Sequence, residues 1–146
     1  MVRDGNYDDL CAIVGMAEEF WSNTVYEEEF CPDSVEEMAK MCIDQCLMSV
    51  LVVDNEVCGF ACGLKGGLLG NALVPTGVEV AWWVNPDHRS GVGGVRLLKH
   101  IESRAKSAGI KYWSMVYMES SMPETIKGIY EKMGYFRNEV TYTKVL

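Results

Sequence analysis

Residues 84–98 read Val-Asn-Pro-Asp-His-Arg-Ser-Gly-Val-Gly-Gly-Val-Arg-Leu-Leu, which places three glycines between a polar turn and the start of an amphipathic helix. That order describes an anion site. The first N–H groups of a helix have no intrahelical partner, the macrodipole adds about half a positive charge there, and glycines let a bulky anion approach the main chain closely. Two well-known phosphate loops do not fit. Gly94-Val95-Arg96 is not the Gly-Lys-Ser/Thr end of a P-loop. Arg96 stands where a dinucleotide fingerprint needs its third glycine. For a glycine cluster alone, a tight turn without a ligand remains the plain alternative.

The elements that must position this loop alternate between helical and extended patterns. Asn6 with Asp9 three residues on marks a helix start, and Leu10, Ile13, Val14, Ala17 and Phe20 with Trp21 recur at helical spacing to about residue 23. A loop of acids and aromatics follows (Tyr26, Glu27, Glu28, Glu29, Phe30). Ser34 and Glu37 then read as a capping box, with Val35, Met38 and Cys42 as the apolar stripe of a second helix. Residues 47–53 are a β-branched run, Asp54-Asn55 a turn and residues 57–64 a second run, which predicts a hairpin. Gly66, Gly67, Gly70 and Pro75 mark a loop. The next strand is 78–84, with Val78, Val80, Trp82 and Val84 on one face and Glu79, Ala81 and Trp83 on the other.

After the glycines, a helix turns Val95, Leu97, Leu98, Ile101 and Ala105 inward and ends near Gly109. Residues 110–118 read as a strand. Residues 123–133 read as a short helix with Ile126, Ile129, Tyr130 and Met133 on one side, closed by Gly134, and 140–145 as a last strand. Antiparallel strands first and a crossover helix later make an α/β chain. No repeat, low-complexity tract or linker interrupts it, which predicts a single domain over residues 1–146.

Composition narrows the partners. A chain of 146 residues that is 49% hydrophobic can bury a core of its own. The formal charge of −8 argues against a nucleic-acid binder, which normally shows a basic face, and suits a cationic small substrate as well as plain solubility. No apolar run nears the ~20 residues that span a bilayer, and no leader pattern opens the chain, so a cytoplasmic protein with no membrane partner is expected. The six cysteines predict no framework. Cys42 and Cys46 are four apart on a helix, Cys58 and Cys62 share one face of a strand, no Cys-x-x-Cys occurs, and His88 and His100 are the only histidines. Buried free thiols without bridges or metal are expected.

Two segments together resemble a known family. Residues 84–98 resemble motif A of the GNAT superfamily of acyltransferases, where Arg or Gln leads a glycine loop after the fourth strand and Leu-Leu follows in the helix. Aligned on Pro86 and Leu97-Leu98, Arg89 leads and Gly94 is the last glycine, with Val92 where the first glycine is usual; aligned on Gly91 and Gly93, His88 leads. Ile129-Tyr130-Glu131-Lys132-Met133-Gly134-Tyr135 resembles motif B, and Met1-Val2-Arg3-Asp4 with Asp8-Asp9-Leu10 and Ala12-Ile13-Val14 resembles the family's first strand and helix. The C-terminal end looks shortened, with one strand after Gly134 where two are usual. The resemblance implies a three-layer α/β fold. Its mixed, mostly antiparallel central sheet would be splayed between strands 4 and 5 and flanked by about four helices.

It also implies an activity: transfer of an acetyl group from acetyl-CoA, as co-substrate, to a primary amine. The coenzyme would be held by backbone amides of Arg89, Ser90, Gly91, Val92, Gly93, Gly94 and Val95, with its pantetheine arm along Trp83 and Val84. For both Trp82 and Trp83 the alternative is a core side chain, which Trp82, on the face of the valines, suits best. An alkyl amine of pKa near ~10.4 is almost wholly charged at neutral pH, so a carboxylate must help remove its proton. Glu79 lies where several family members place such a base, the ordinary alternative being a solvent-facing strand residue; Glu119 is the reserve. The departing thiol, of pKa near ~8.5, needs only a weak acid, and Tyr130 stands where the family has its acid tyrosine; the alternative is a core aromatic. A backbone N–H near Trp83 and Val84 would polarise the thioester oxygen. No cysteine has a basic partner in sequence, so direct transfer is expected rather than an acyl-enzyme.

In the family the region between the first two helices shapes the acceptor pocket. Here it holds Trp21, Tyr26, Glu27, Glu28, Glu29, Phe30 and Asp33, which suits a cationic amine, whether a small molecule or a protein lysine or N-terminus, the ordinary alternative for three adjacent glutamates being a solvated loop. A homodimer is one assembly open to it. The alternative function is a catalytically weak or inactive acyl-CoA-binding module, for which Val92 in a glycine position is the support.

Overall fold

Asn6 starts the first helix as its sequence predicts. Its side chain accepts from the Asp8 N–H at 2.8 Å, and the Asp9 carboxylate accepts from the Asn6 N–H at 2.9 Å, a closed capping box. One 3-10 turn, Tyr7–Asp9, leads into α1 (Leu10–Trp21). Asp9 is buried, and two guanidinium nitrogens of Arg3 reach it at 2.7 Å each. That bidentate pair, on β1 (Val2–Asp4), holds the Asp9 carboxyl below the usual carboxylate range.

The second helix, α2 (Pro32–Asp44), begins two residues before Ser34, so the expected capping box does not form. Pro32, with its fixed φ and missing N–H, suits the first helical position better than Ser34 suits a cap. Ser34 Oγ instead donates to Cys31 Sγ at 3.1 Å.

The computed structural model describes residues 1–146 and divides into two units, Met1–Val116 and Tyr117–Leu146. The first carries a five-stranded sheet in the order β1, β2 (Met48–Val53), β3 (Glu56–Leu68), β4 (Asn71–Val84), β5 (Tyr112–Ser114). The first four strands are antiparallel; β4 and β5 are parallel, joined by α3 (Gly93–Ser107). Asp54 and Asn55, both at positive φ (49° and 68°), make the tight turn between β2 and β3. The loop expected at Gly66, Gly67, Gly70 and Pro75 is instead a continuation of the β3–β4 ladder. Gly67 pairs with Pro75 and Leu68 with Asn71, leaving a two-residue turn at Leu69-Gly70. Glycine permits extended backbone as readily as a turn, and at Gly67 a Cβ would stand 2.9 Å from the Ala72 carbonyl, so the close strand approach itself calls for glycine.

Two register shifts change which residues share a face. Leu51 pairs with Gly59 but Val52 with Val57, which leaves Cys58 extra; Cys62 pairs with Ala81 but Gly63 with Glu79, which leaves Val80 extra. Cys58 and Cys62 therefore lie in opposite layers, against expectation. Cys62 packs with α1 and α2 residues Ile13, Ala17 and Cys42, and Cys58 with α3 residues Leu97 and Ile101. For the same reason Val80 joins the α1–α2 side while Trp82 and Val84 join the α3 side, so the four residues read as one face of β4 do not share it. The result is three layers, helices α1 and α2, sheet, and helix α3. No helix is long and apolar enough to cross a membrane.

The strand expected over 110–118 is confined to Tyr112–Ser114. In the second unit, α4 (Pro123–Lys132) matches the expected helix, with Pro123 at its first position and Gly134, at φ 90°, closing it. Residues 140–145 form no strand. Their side chains Val140, Tyr142 and Val145 stand exposed, and β-branched composition favours a strand only where a paired, half-buried surface receives it.

Candidate active site

Beyond Val84 the chain makes a 3-10 turn, Pro86–His88, and reaches α3 through Gly91 at φ 124°, a conformation that L side chains rarely adopt. Val92 precedes the helix and no side chain caps it; the first ladder bond is from Arg96 N–H to the Val92 carbonyl at 2.9 Å. The N–H groups of the first turn thus have no ladder carbonyl. The glycines have different duties. A Cβ on Gly93 would stand 3.0 Å from Leu51 Cδ2, so this glycine lets α3 sit down on the sheet; a Cβ on Gly94 would make an ordinary 3.4 Å contact with Trp82. Val92 is exposed.

Arg89 turns back to β4. Its Nε donates to the Val84 carbonyl at 2.7 Å, and its guanidinium lies 4.3 Å from the centroid of the Trp83 ring. Trp83 is buried, reaches Asn85 Oδ1 through its indole N–H at 3.3 Å, and meets Phe20 of α1 edge-on. Arg89 therefore ties the loop to the strand. On the other flank of the loop, Asp87, His88, Ser90, Gly93 and Arg96 line a cavity of about 290 Å³ floored by Val2, Leu51 and Val53.

Glu79 is the buried acid of the sheet, at 6% exposure rather than solvent-facing. It lies where β5 parts from β4. The parallel ladder pairs Gly77 with Trp113 and Val78 with Ser114, then stops. Next along the chain, the Val116 N–H donates to Glu79 Oε2 at 3.1 Å. The bulge at Val80 bends β4 at this point, so the expected split between the fourth and fifth strands opens just past Glu79. Burial pushes the Glu79 carboxyl up from 4.5 to about 7, opposed by the Val116 hydrogen bond.

In the second unit Tyr130 is buried on α4, its ring 5.5 Å from that of Tyr135. Glu119, the reserve acid, is exposed. Of the six thiols only Cys42, Cys58 and Cys62 are buried, so the expectation of buried cysteines fails for Cys11, Cys31 and Cys46. Cys46 falls past the end of α2 at φ 60°, and Cys31 stands before its first turn, where hydrogen bonds from Ser34 lower its thiol.

The acetyltransferase (GNAT) family matches residues 13–135, most of the chain. The chain belongs to this family. No curated protein matches the sequence significantly. Solved structures share the GNAT fold at low identity. The predicted acetyltransferase of Clostridium acetobutylicum, crystallised with acetyl-CoA, has a TM-score of 0.75 at 13% identity, over 100% of this chain and 95% of that one. The ribosomal-protein-alanine N-acetyltransferase of Brucella melitensis biovar Abortus 2308 has a TM-score of 0.73 at 12% identity, over 100% and 99%. AAC(6')-Iy, in complex with the bisubstrate analogue CoA-S-monomethyl-acetylneamine, has 0.74 at 13%, over 100% and 98%.

Within this GNAT chain the sequence brought the loop and Glu79 into view but missed what surrounds them. The Val116 N–H meets the Glu79 carboxylate, Gly63 pairs with Glu79, and Trp113 lies against Gly63 and Gly77; the available signal was glycine inside strand patterns, which marks close approach. It also missed a buried Ser49, whose Oγ lies 2.8 Å from His100 Nδ1, while His100 Nε2 is 3.7 Å and Arg104 Nε 3.1 Å from Asp4. Ser49 is wholly buried, so this network ties β1, β2 and α3 together rather than meeting a substrate.

Proposed function

We propose that residues 1–146 form one catalytic domain, an acetyl-CoA-dependent N-acetyltransferase that transfers directly to a primary amine. The observation that carries the reading is Glu79: a buried carboxyl, raised to about 7, at the point where β5 leaves β4. Family membership and the acetyl-CoA and coenzyme A analogue in the Clostridium and AAC(6')-Iy structures support the co-substrate. The fit to this chain rests on its uncapped α3, on Gly91 at positive φ and on the split past Val78.

Backbone amides of Arg89, Ser90, Gly91, Val92, Gly93, Gly94 and Val95 would hold the diphosphate, and Trp83 and Val84 would border the pantetheine arm. Acetyl-CoA supplies the acetyl group on a thioester. Glu79, directly or through one water, takes a proton from the acceptor ammonium or from the attacking amine. A backbone N–H near Trp83–Val84 stabilises the charge that develops on the thioester oxygen. Tyr130 gives its phenolic proton to the departing sulfur; of the two protons that an ammonium acceptor loses, one leaves through Glu79 to solvent and the other, by way of solvent, restores the Tyr130 phenol.

The acceptor follows from the α1–α2 region. Trp21 and Tyr26 stack at 5.5 Å, and the Trp21 indole N–H fixes the loop by donating to the Glu28 carbonyl at 3.0 Å. Exposed Glu27, Glu28 and Glu29 beside exposed aromatic surface support a cationic amine, small or on a protein. A cytoplasmic setting suits six reduced thiols.

Calorimetry with acetyl-CoA and thiol release over a panel of amines test this. Tyr130→Phe should lower kcat by roughly 10²-fold while leaving acetyl-CoA affinity within about twofold. An unchanged kcat would remove Tyr130 as the acid. Absence of coenzyme binding would remove the enzyme reading.

A further inference from the structure

The mechanism above leaves the floor beside Glu79 unused. Gly63 pairs with Glu79 across β3–β4, and Gly77 precedes Glu79 by two residues. Opposite residues of an antiparallel pair share a face, as do residues two apart on one strand, so both glycines flank the carboxyl. Neither has room for a side chain. A Cβ on Gly77 would stand 2.8 Å from Trp113 Cε3 and 2.8 Å from Ile110 Cδ1; one on Gly63 would stand 2.6 Å from the Val78 carbonyl and 3.0 Å from Trp113 Cζ3. The Trp113 indole thus lies over both. Its N–H donates to Met115 Sδ at 2.9 Å, and three residues on from Trp113 the Val116 N–H meets the carboxylate. One short stretch therefore places an apolar ring and a single donor about Glu79.

We infer that Trp113 is a positioning residue for Glu79: its indole, admitted by Gly63 and Gly77, closes the flank of the carboxyl to water and so sets the pH at which Glu79 gives up its proton. As a statement about the reaction, this rests on the reading of Glu79 as the base. Burial is the larger influence on Glu79, and the Val116 N–H opposes it. Around it within residues 1–116, the Cys62 thiol of β3 feels its charge. Lys65 of β3, Lys111 and Tyr112 at β5, Glu18 and Glu19 of α1, and Arg96, Lys99 and Lys106 of α3 are all exposed, while His100, Glu102 and Arg104 of α3 are half-buried. What shifts Glu79 is burial and the Val116 hydrogen bond. Removing the indole would therefore alter hydration rather than neighbouring charge.

The test titrates Glu79 directly, by its carboxyl carbon shift in the free enzyme, in wild type, Trp113→Ala and Trp113→Phe, alongside the pH profile of kcat/KM. In Trp113→Ala the midpoint should fall by about one pH unit or more, and in Trp113→Phe by less, with the kinetic limb moving in step. Trp113→Leu serves if the alanine variant does not fold. An unmoved Glu79 midpoint in a folded variant overturns the inference. A midpoint that moves while the kinetic limb stays put upholds Trp113 and removes Glu79 as the base.

Discussion

At the scale of single residues, the burial of Glu79 bears on stability as well as on its proposed chemistry. Its carboxyl is raised from 4.5 to about 7 by burial. Between those values the unfolded chain ionises Glu79 and the folded chain keeps it protonated, so the native state binds more protons and stability falls as pH rises through this window. The loss amounts to about 3 kcal/mol, spread between about pH 4.5 and pH 7 and constant above it. Glu79→Gln keeps an acceptor for the Val116 N–H but cannot ionise. Urea midpoints at about pH 5 and pH 8 should therefore differ in wild type and nearly coincide in the variant, which should be the more stable protein at the higher pH. Its kcat/KM should fall by roughly 10²-fold. A wild-type midpoint that does not drop over this range would mean that Glu79 is solvated.

At the scale of elements, glycines decide where the layers can touch. Gly63→Ala would push a Cβ to 2.6 Å from the Val78 carbonyl, a backbone atom that cannot step aside, and should cost about 2 kcal/mol or more. Gly15, inside α1 with nothing within 4 Å of its Cβ position, is the opposite case, and Gly15→Ala should stabilise by about 0.5–1 kcal/mol. Thermal melts of the two variants check both signs. The same contrast explains how far the elements were legible. Helices α1, α3 and α4 follow from apolar stripes and local caps such as Asn6 with Asp9, because both signals lie within one turn. The faces of β3 and β4 do not, because each register shift is set by a partner strand, and one extra residue at Cys58 or Val80 reverses everything beyond it. Glu79 was legible as a candidate only through the resemblance to the family, its strand alone reading as solvent-facing there. Its burial was not, since Val116 lies 37 residues away.

At the scale of the whole molecule, the charge of −8 acts on both proposed substrates with opposite sign. The field of an acidic protein concentrates cations and repels anions beyond contact distance, and salt screens it. Raising ionic strength from about 0.05 M to about 0.3 M shortens the screening length from roughly 14 Å to roughly 6 Å, so charges that reached an approaching amine cease to do so. An acceptor with two or more positive charges should then show a KM raised several-fold with kcat nearly constant, since charge screening weakens capture and leaves the buried Glu79 untouched. A monoamine of similar size should respond less. Neutralising Glu27, Glu28 and Glu29 together to glutamine tests whether these three side chains carry the effect: the variant should start with the weaker KM at low salt and change little as salt is added. A salt response that survives the triple substitution would move acceptor recognition away from the α1–α2 loop, to the general field of the chain.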